Sequence, residues 1–102
     1  MMTRSPAWAD LAGEAFAAGL AAGHPHDVTM AAMATLDVPP SHVIAIGKAG
    51  AAMAKAVRDA GCNAPGIVVT HDEGFAEIDG MRCFASAHPV PDARGMDAAA
   101  AL

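Results

Sequence analysis

The 102-residue sequence has few aromatic side chains, with no tyrosine, one tryptophan and three phenylalanines. Its apolar fraction of 54% therefore comes largely from small residues such as alanine, which leaves little volume for a hydrophobic core. A chain of this length also has a large surface relative to its interior. We expect at most one domain, with a thin core.

Basic residues are also scarce, with six Lys and Arg against eleven Asp and Glu, for a net charge of -5. This balance argues against nucleic-acid binding, because phosphate neutralisation needs clustered basic side chains. Cys62 and Cys83 form neither a C-x-x-C pair nor a zinc ligand set, which predicts reduced thiols. Asp10 and Glu14 interrupt the alanine-rich start, and no long uncharged apolar run follows, so we expect a cytoplasmic chain without a membrane partner.

Helical spacing of apolar residues predicts two helices before the first strand. The first begins at Ser5-Pro6, with Ser as cap and Pro at the first helical position, and stops at Gly23. The second begins at Asp27 and continues until Pro39-Pro40 forbids further helix.

The middle of the chain predicts a βαβ unit. Residues 43–46 form an apolar run without alternation, which is typical of a parallel strand covered on both faces. A helical stripe over 49–61 and a second apolar strand at 66–70 follow. A third strand is predicted at 81–86, and its direction stays open because the solvated loop 71–80 is short for a parallel crossover. The predicted fold class is α/β, a Rossmann-like βαβ unit with a small, mostly parallel sheet preceded by two helices, as part of a larger domain.

The turn after the first strand is the most informative candidate site. Lys48 stands at the start of a helix, where a cation is unfavourable unless an anion binds there. Gly47 lets a ligand approach the backbone, and the N–H groups of residues 49–51 are placed to point at a phosphate or carboxylate. We predict an anion site formed by Gly47, Lys48, Ala49 and Gly50. The alternative is a solvated lysine on an ordinary strand-to-helix turn.

Two familiar nucleotide motifs do not fit this turn. A Walker A loop needs G-x-x-x-x-G-K followed by Ser or Thr, whereas Ala49 follows the lysine. The dinucleotide fingerprint G-x-G-x-x-G has Ala49 and Ala52 at its second and third glycine positions. A P-loop kinase is excluded, and a nicotinamide site is disfavoured.

Two further segments follow strands at 70–74 and 88–92, so the three segments would form a cleft at one edge of the sheet. Prolines stiffen the last segment and could place His88 or Asp92 in the site, but the residues alone favour Asp92 as a helix cap. The other histidines, including His71, have no metal-ligand spacing and are interpreted as surface or capping residues, so no metal site is predicted.

Three phrases occur in a specific order: V-I-A-I-G-K-A at 43–49, G-I-V-V-T at 66–70 and A-H-P-V-P-D at 87–92. Together they resemble the glycerate 2-kinase family, the MOFRL-type glycerate kinases often labelled hydroxypyruvate reductases. The resemblance implies that residues 1–102 are the amino-terminal part of a Rossmann-like glycerate kinase domain. The carboxy-terminal domain, which would complete the active site, is then absent from this sequence. A last helix is predicted to begin near Ala93, after the Asp92 cap. It reaches Leu102 without a stop signal, which also indicates a truncated chain.

The resemblance implies an activity for the parent protein, namely transfer of the ATP γ-phosphoryl group to the 2-hydroxyl of D-glycerate. Lys48 is implied to act on glycerate or the transferring phosphoryl group. His88 and Asp92 are predicted as substrate- or phosphate-binding residues. ATP and Mg²⁺ are the implied cofactors, with the metal ligands outside this segment. Alternatives are an NAD(P)-dependent hydroxypyruvate reductase and a non-catalytic fragment that self-associates through an open sheet edge.

Overall fold

The computed structural model describes residues 7–87 and 91–102. Two initial helices precede a three-stranded parallel sheet, and further helices follow its first and third strands, which confirms the predicted α/β class. The elements are α1 (Ala7–Ala22), α2 (Pro25–Met33), β1 (Val43–Ile46), α3 (Gly50–Asp59), β2 (Gly66–His71), a 3-10 turn (Asp72–Gly74), β3 (Met81–Ser86) and α4 (Ala93–Ala101). In the described part of the chain, no helix is long and apolar enough to cross a membrane.

The sheet has the strand order β1-β2-β3, and both pairs of neighbours are parallel. β3 is therefore parallel to β2, a direction that the sequence left open. The segment between β2 and β3 contains the 3-10 turn Asp72–Gly74 and no α-helix. Ile78 of this segment packs under the sheet at 7% exposure, which holds the crossover against the core. The prediction that 71–80 is wholly a solvated loop is wrong at Ile78, since an apolar side chain can anchor a short crossover beneath a sheet.

Small side chains form most of the core, which lies between α3 and one face of the sheet. Ala51 and Ala54 of α3 pack in one cluster with Val68 of β2 and Met81 of β3. Val68 is the largest side chain that is fully buried. Alanines let the helix approach the sheet closely, but each contributes little apolar area.

The outer face of β1 is open. Ile44 and Ile46 remain 67% and 62% exposed, so the prediction of a strand covered on both faces is wrong for β1 in the described structure. The physical reason is that α3 packs against the inner face of β1, whereas α4 packs on the β3 side of the sheet. The apolar stripe of α1 is open as well, since no residue of that helix is buried against the described chain.

An ionic cluster ties α2 to α3. The two ring nitrogens of His26 lie 2.6 Å from Asp59 Oδ2 and 3.2 Å from Asp27 Oδ1, and Lys55 Nζ lies 3.3 Å from Asp59. The hydrogen bond with Asp59, followed by the one with Asp27, raises the pKa of His26 above its usual 6.5. The helix that contains His26 begins at Pro25, two residues before the predicted Asp27, because proline suits the first helical turn.

Candidate functional site

The turn between β1 and α3 requires glycine at its first position. Gly47 has φ +117°, a conformation that side chains with a Cβ rarely adopt. Its N–H donates to the Val69 carbonyl at 2.9 Å, which extends the β1–β2 ladder by one residue before the chain turns. The Gly50 N–H then donates to the Gly47 carbonyl at 3.1 Å, so α3 starts immediately after Lys48 and Ala49. This internal bond uses one of the N–H groups that the sequence assigned to an anion.

Lys48 projects from this turn as an exposed residue. No salt bridge joins it to another residue within 7–87 and 91–102, in contrast to Lys55 of α3, which pairs with Asp59. The positive end of the α3 dipole disfavours an unpaired ammonium group in this position. The Thr70 hydroxyl lies 3.5 Å from the Lys48 carbonyl, a long contact that links the turn to β2. The main chain of Lys48 is therefore linked to β2, and its side chain is exposed beside the strand ends.

A cavity of about 120 Å³ opens where the three parallel strands end. The residues that form it come from all three strand ends and include Gly47, Lys48, Thr70, His71, Ser86 and Ala87. The register accounts for this convergence, because His71 of β2 pairs with Ser86 of β3 at the same edge that holds the turn after β1. The cleft that the sequence predicted at this edge is thus present, and Lys48 and Gly47 belong to it.

Residues 88–92, the third segment predicted at the cleft, are described only in part. His88 lies outside the described residues. Asp92 caps α4, since its Oδ1 accepts a hydrogen bond from the Arg94 N–H at 3.1 Å, and its Oδ2 lies 3.0 Å from Arg94 Nε. Both carboxylate oxygens of Asp92 are therefore engaged, as expected for the helix-cap alternative. A ligand would have to compete with Arg94 for this group.

The sequence did not reveal a second ion pair beside the cleft. Arg94 of α4 forms a two-pronged salt bridge with Asp72, with N···O distances of 2.6 and 2.9 Å. Hydrogen bonding to the guanidinium lowers the pKa of Asp72 below its ordinary 3.8. The pair holds the start of α4 against the turn after β2. Only the tertiary fold brings these two residues together, and no local pattern signals it.

His71 belongs to the segment 70–74 that the sequence placed at the cleft, and it was interpreted there as a surface or capping residue. Its Nδ1 accepts a hydrogen bond from the Gly74 N–H at 2.6 Å, which confirms a capping role. The half-buried ring also lines the same cavity as Lys48.

These features define an open, parallel α/β sheet with a small cleft at the carboxyl ends of its strands. The chain belongs to the family described as a domain of unknown function, DUF4147, which matches residues 11–102. Among solved structures, the PH0495 protein from Pyrococcus horikoshii OT3 is similar, with a TM-score of 0.75 and 21% sequence identity. That match covers 96% of this chain and 25% of the archaeal chain, so this chain spans about a quarter of that protein's length. No curated protein matches the sequence.

Proposed function

We propose that this chain is the amino-terminal segment of a glycerate 2-kinase, which transfers the γ-phosphoryl group of ATP to the 2-hydroxyl of D-glycerate. The family membership supports this assignment, because a DUF4147 domain stands at the amino terminus of MOFRL-type glycerate kinases. The order of the G-K-A and H-P-V-P-D phrases supports it as well. The observation that carries the proposal is the exposed Lys48, which forms no salt bridge with the described residues, at a cleft formed by three strand ends.

Phosphoryl transfer suits the chemistry of this cleft. Catalysis of such reactions rests on positioning the reactants and neutralising oxygen charge, and an ammonium group at the cleft supplies the second requirement. Gly47 lines the cleft and would let a phosphate or carboxylate approach the backbone beside Lys48. Ala49 and Gly50, which the sequence also predicted as binding residues, do not line it, and the Gly50 N–H already donates to the Gly47 carbonyl. In this scheme Lys48 binds the glycerate carboxylate or the transferring phosphoryl group.

The described residues do not form a metal site. No group of three His, Cys, Asp or Glu side chains within 7–87 and 91–102 is arranged to hold an ion. Asp72 and Asp92, two carboxylates in the segments that follow β2 and β3, are paired with Arg94. Magnesium would therefore arrive with the nucleotide and find its protein ligands elsewhere, and no step of the proposal passes through residues of this chain as metal ligands.

A coupled ADP-release assay with D-glycerate on the full-length protein tests the proposal. We expect Lys48→Ala to lower kcat/KM by about two to three orders of magnitude, the usual effect of removing a group that stabilises transition-state charge. Lys55→Ala is the matched control, because Lys55 lies on α3, the helix that follows Lys48, but pairs with Asp59 and does not line the cleft. Equal rates for wild type and Lys48→Ala would remove Lys48 from the mechanism.

The same preparations separate the reductase alternative. Oxidation of NADH on addition of hydroxypyruvate, without ADP release from ATP and glycerate, would replace the kinase proposal with a nicotinamide-dependent reductase. We expect ADP release and no NADH oxidation, because Ala49 and Ala52 occupy two glycine positions of the dinucleotide fingerprint. The isolated 102-residue chain is expected to be inactive in both assays.

A further inference from the structure

The first helix, α1, carries an apolar stripe that is exposed along its length. Its four large apolar side chains are those of Trp8, Leu11, Phe16 and Leu20, which are between 61% and 72% exposed. Their spacing places them on one side of the helix. No residue of α1 is buried against the part of the chain that the structure describes. A helix of 16 residues has little stability of its own in water, so we expect another surface to cover this stripe.

One end of the stripe forms a notch. Phe16, Gly19, Leu20 and Gly23 surround a surface cavity of about 320 Å³, which we call the α1 notch. These residues stand at positions i, i+3, i+4 and i+7, the set of four that receives a side chain when two helices pack. A Cβ at Gly19 would meet nothing within 4 Å, so the described residues leave this space open. Trp8, at the other end of the stripe, is the largest side chain that an identical helix could insert there.

The positions of Trp8 and of the α1 notch make the stripe complementary to itself. In an antiparallel pair of identical helices, a two-fold axis midway between Ala12 and Ala15 sets Trp8 of one copy opposite the notch of the other. The same axis sets Leu11 opposite Phe16. At the centre, Ala12 of each copy faces Ala15 of the other, and these small side chains let the helices approach closely.

The exposed area of the stripe is sufficient for a weak dimer. An aromatic side chain contributes about 150–250 Å², so the exposed parts of the four large side chains offer about 500 Å² on each copy. Two copies would then bury about 1,000 Å² in total, which is the lower limit for a specific interface. Charge repulsion does not oppose this contact, because Asp10 and Glu14, the charged residues of α1, lie on the other side of the helix.

We propose that α1 is a self-association surface, on which a second copy of this chain packs antiparallel and each Trp8 indole occupies the α1 notch of the other copy. The complementarity of the two ends of one stripe identifies the occupant as an identical helix. This inference goes beyond the proposed function and does not depend on it, since no residue of α1 lines the cleft that contains Lys48.

The same substitution on two sides of α1 tests the surface. Ala15→Glu puts a carboxylate at the centre of the stripe, where association would enclose it without a partner. Ala17→Glu is the matched control, because it introduces the same side chain two positions away, on the side of Asp10 and Glu14. Neither alanine is buried, so both variants should keep the helix content of the wild type in circular dichroism.

Sedimentation equilibrium measures the association, and the emission of Trp8, the single tryptophan of the 102-residue chain, reports whether the indole leaves water. We expect a monomer–dimer equilibrium with a Kd of about 10–100 μM, as suits an interface of this area, and a blue shift of the emission across that concentration range. Ala15→Glu should weaken association at least about tenfold and remove the blue shift. Ala17→Glu should stay within about twofold of wild type.

A mixing experiment tests the antiparallel register. Ala12→Lys alone should weaken association as Ala15→Glu does, since its ammonium group would also be enclosed without a partner. An equimolar mixture of these two variants should associate about tenfold more tightly than either alone. The reason is that the introduced ammonium group of one copy then faces the introduced carboxylate of the other.

Sedimentation of the full-length protein completes the test, and we expect a dimer that Ala15→Glu dissociates and Ala17→Glu does not. A full-length monomer would assign the stripe to the remaining polypeptide and overturn the proposal. Equal effects of the two glutamate variants would overturn it as well, and so would the absence of rescue in the mixture. ADP release from ATP and glycerate decides the proposed function separately, so either proposal can fail while the other stands.

Discussion

Substituting Gly66 by alanine tests how β1 is held in place, and with it the turn that carries Lys48. Gly66 opens β2 and pairs with Val43 of β1. A Cβ at this position would lie 2.6 Å from the Val43 carbonyl oxygen and 2.9 Å from the Val43 Cβ. β1 would have to retreat by about 0.8 Å to restore an ordinary contact of 3.4 Å. The obstructing atoms are backbone and Cβ atoms, which no side-chain rotation can move.

The cost follows from this geometry. Such a retreat would break the bond from Val43 N–H to the Pro65 carbonyl, now 3.0 Å long. A lost hydrogen bond of about 1 kcal/mol and overpacking of about 1–3 kcal/mol give a destabilisation of about 2–4 kcal/mol. For a chain of about 100 residues, 1 kcal/mol shifts Tm by about 4–8 °C, so we expect Tm to fall by at least about 8 °C.

Thermal and urea unfolding followed by circular dichroism measure this change. Gly13→Ala is the matched control, since a Cβ at Gly13 in α1 meets nothing within 4 Å and alanine favours helix by about 1 kcal/mol. We expect the control to unfold at or above the wild-type temperature. A Gly66→Ala protein with Tm within about 2 °C of wild type would refute the close approach of β1 and β2.

Two ionic contacts give further predictions. The folded pKa of His26 is raised above 6.5, so the stabilisation from its contact with Asp59 is complete below pH 6.5 and is lost as the pH rises through the folded value. Asp59→Asn should bring the pKa of His26 back toward 6.5 in an NMR titration of the ring, and an unchanged value would contradict the α2–α3 contact. The folded pKa of Asp72 is lowered by Arg94, so that stabilisation is present above pH 3.8 and is lost as the pH falls through the folded value. Arg94→Gln should raise the Asp72 pKa toward 3.8 while the Asp92 cap, which uses the backbone N–H of residue 94, persists in the Cα chemical shifts of α4.

Local signals in the sequence predicted much of the fold. The β-branched run ending at Gly47 predicted β1 with the bounds it has in the structure, because a glycine with positive φ is a local requirement. Asp92 was predicted as the cap of α4 for a similarly local reason. The parallel direction of β3 could not be predicted, since it depends on Ile78 reaching the core across the sheet. The open face of β1 was missed because apolar strand residues indicate burial without saying which element would cover them.

The same difference between local and long-range signals applies to the candidate site. Lys48 was predicted from its own turn, where glycine and the helix start are adjacent in the sequence. The segment that contains His71 was placed at the cleft because it follows a predicted strand, and the capping interpretation of His71 is confirmed by its bond with the Gly74 N–H. The Arg94–Asp72 pair depends on residues 22 positions apart. A residue positioned by a single turn can be predicted from the sequence, whereas a contact between residues far apart in the sequence cannot.

Lys48 follows the edge strand β1, so one side of the cleft is open. β1 is flanked by β2 on one side only, and its outer face leaves Ile44 and Ile46 largely exposed. The described residues therefore wall the cleft on the β2 and β3 side and leave it open beyond Lys48. Under the proposed function, a ligand bound by Lys48 would present its remaining atoms toward that open side. Phosphoryl transfer would also need water to be excluded from the reacting atoms, and the described residues do not enclose the cleft on that side.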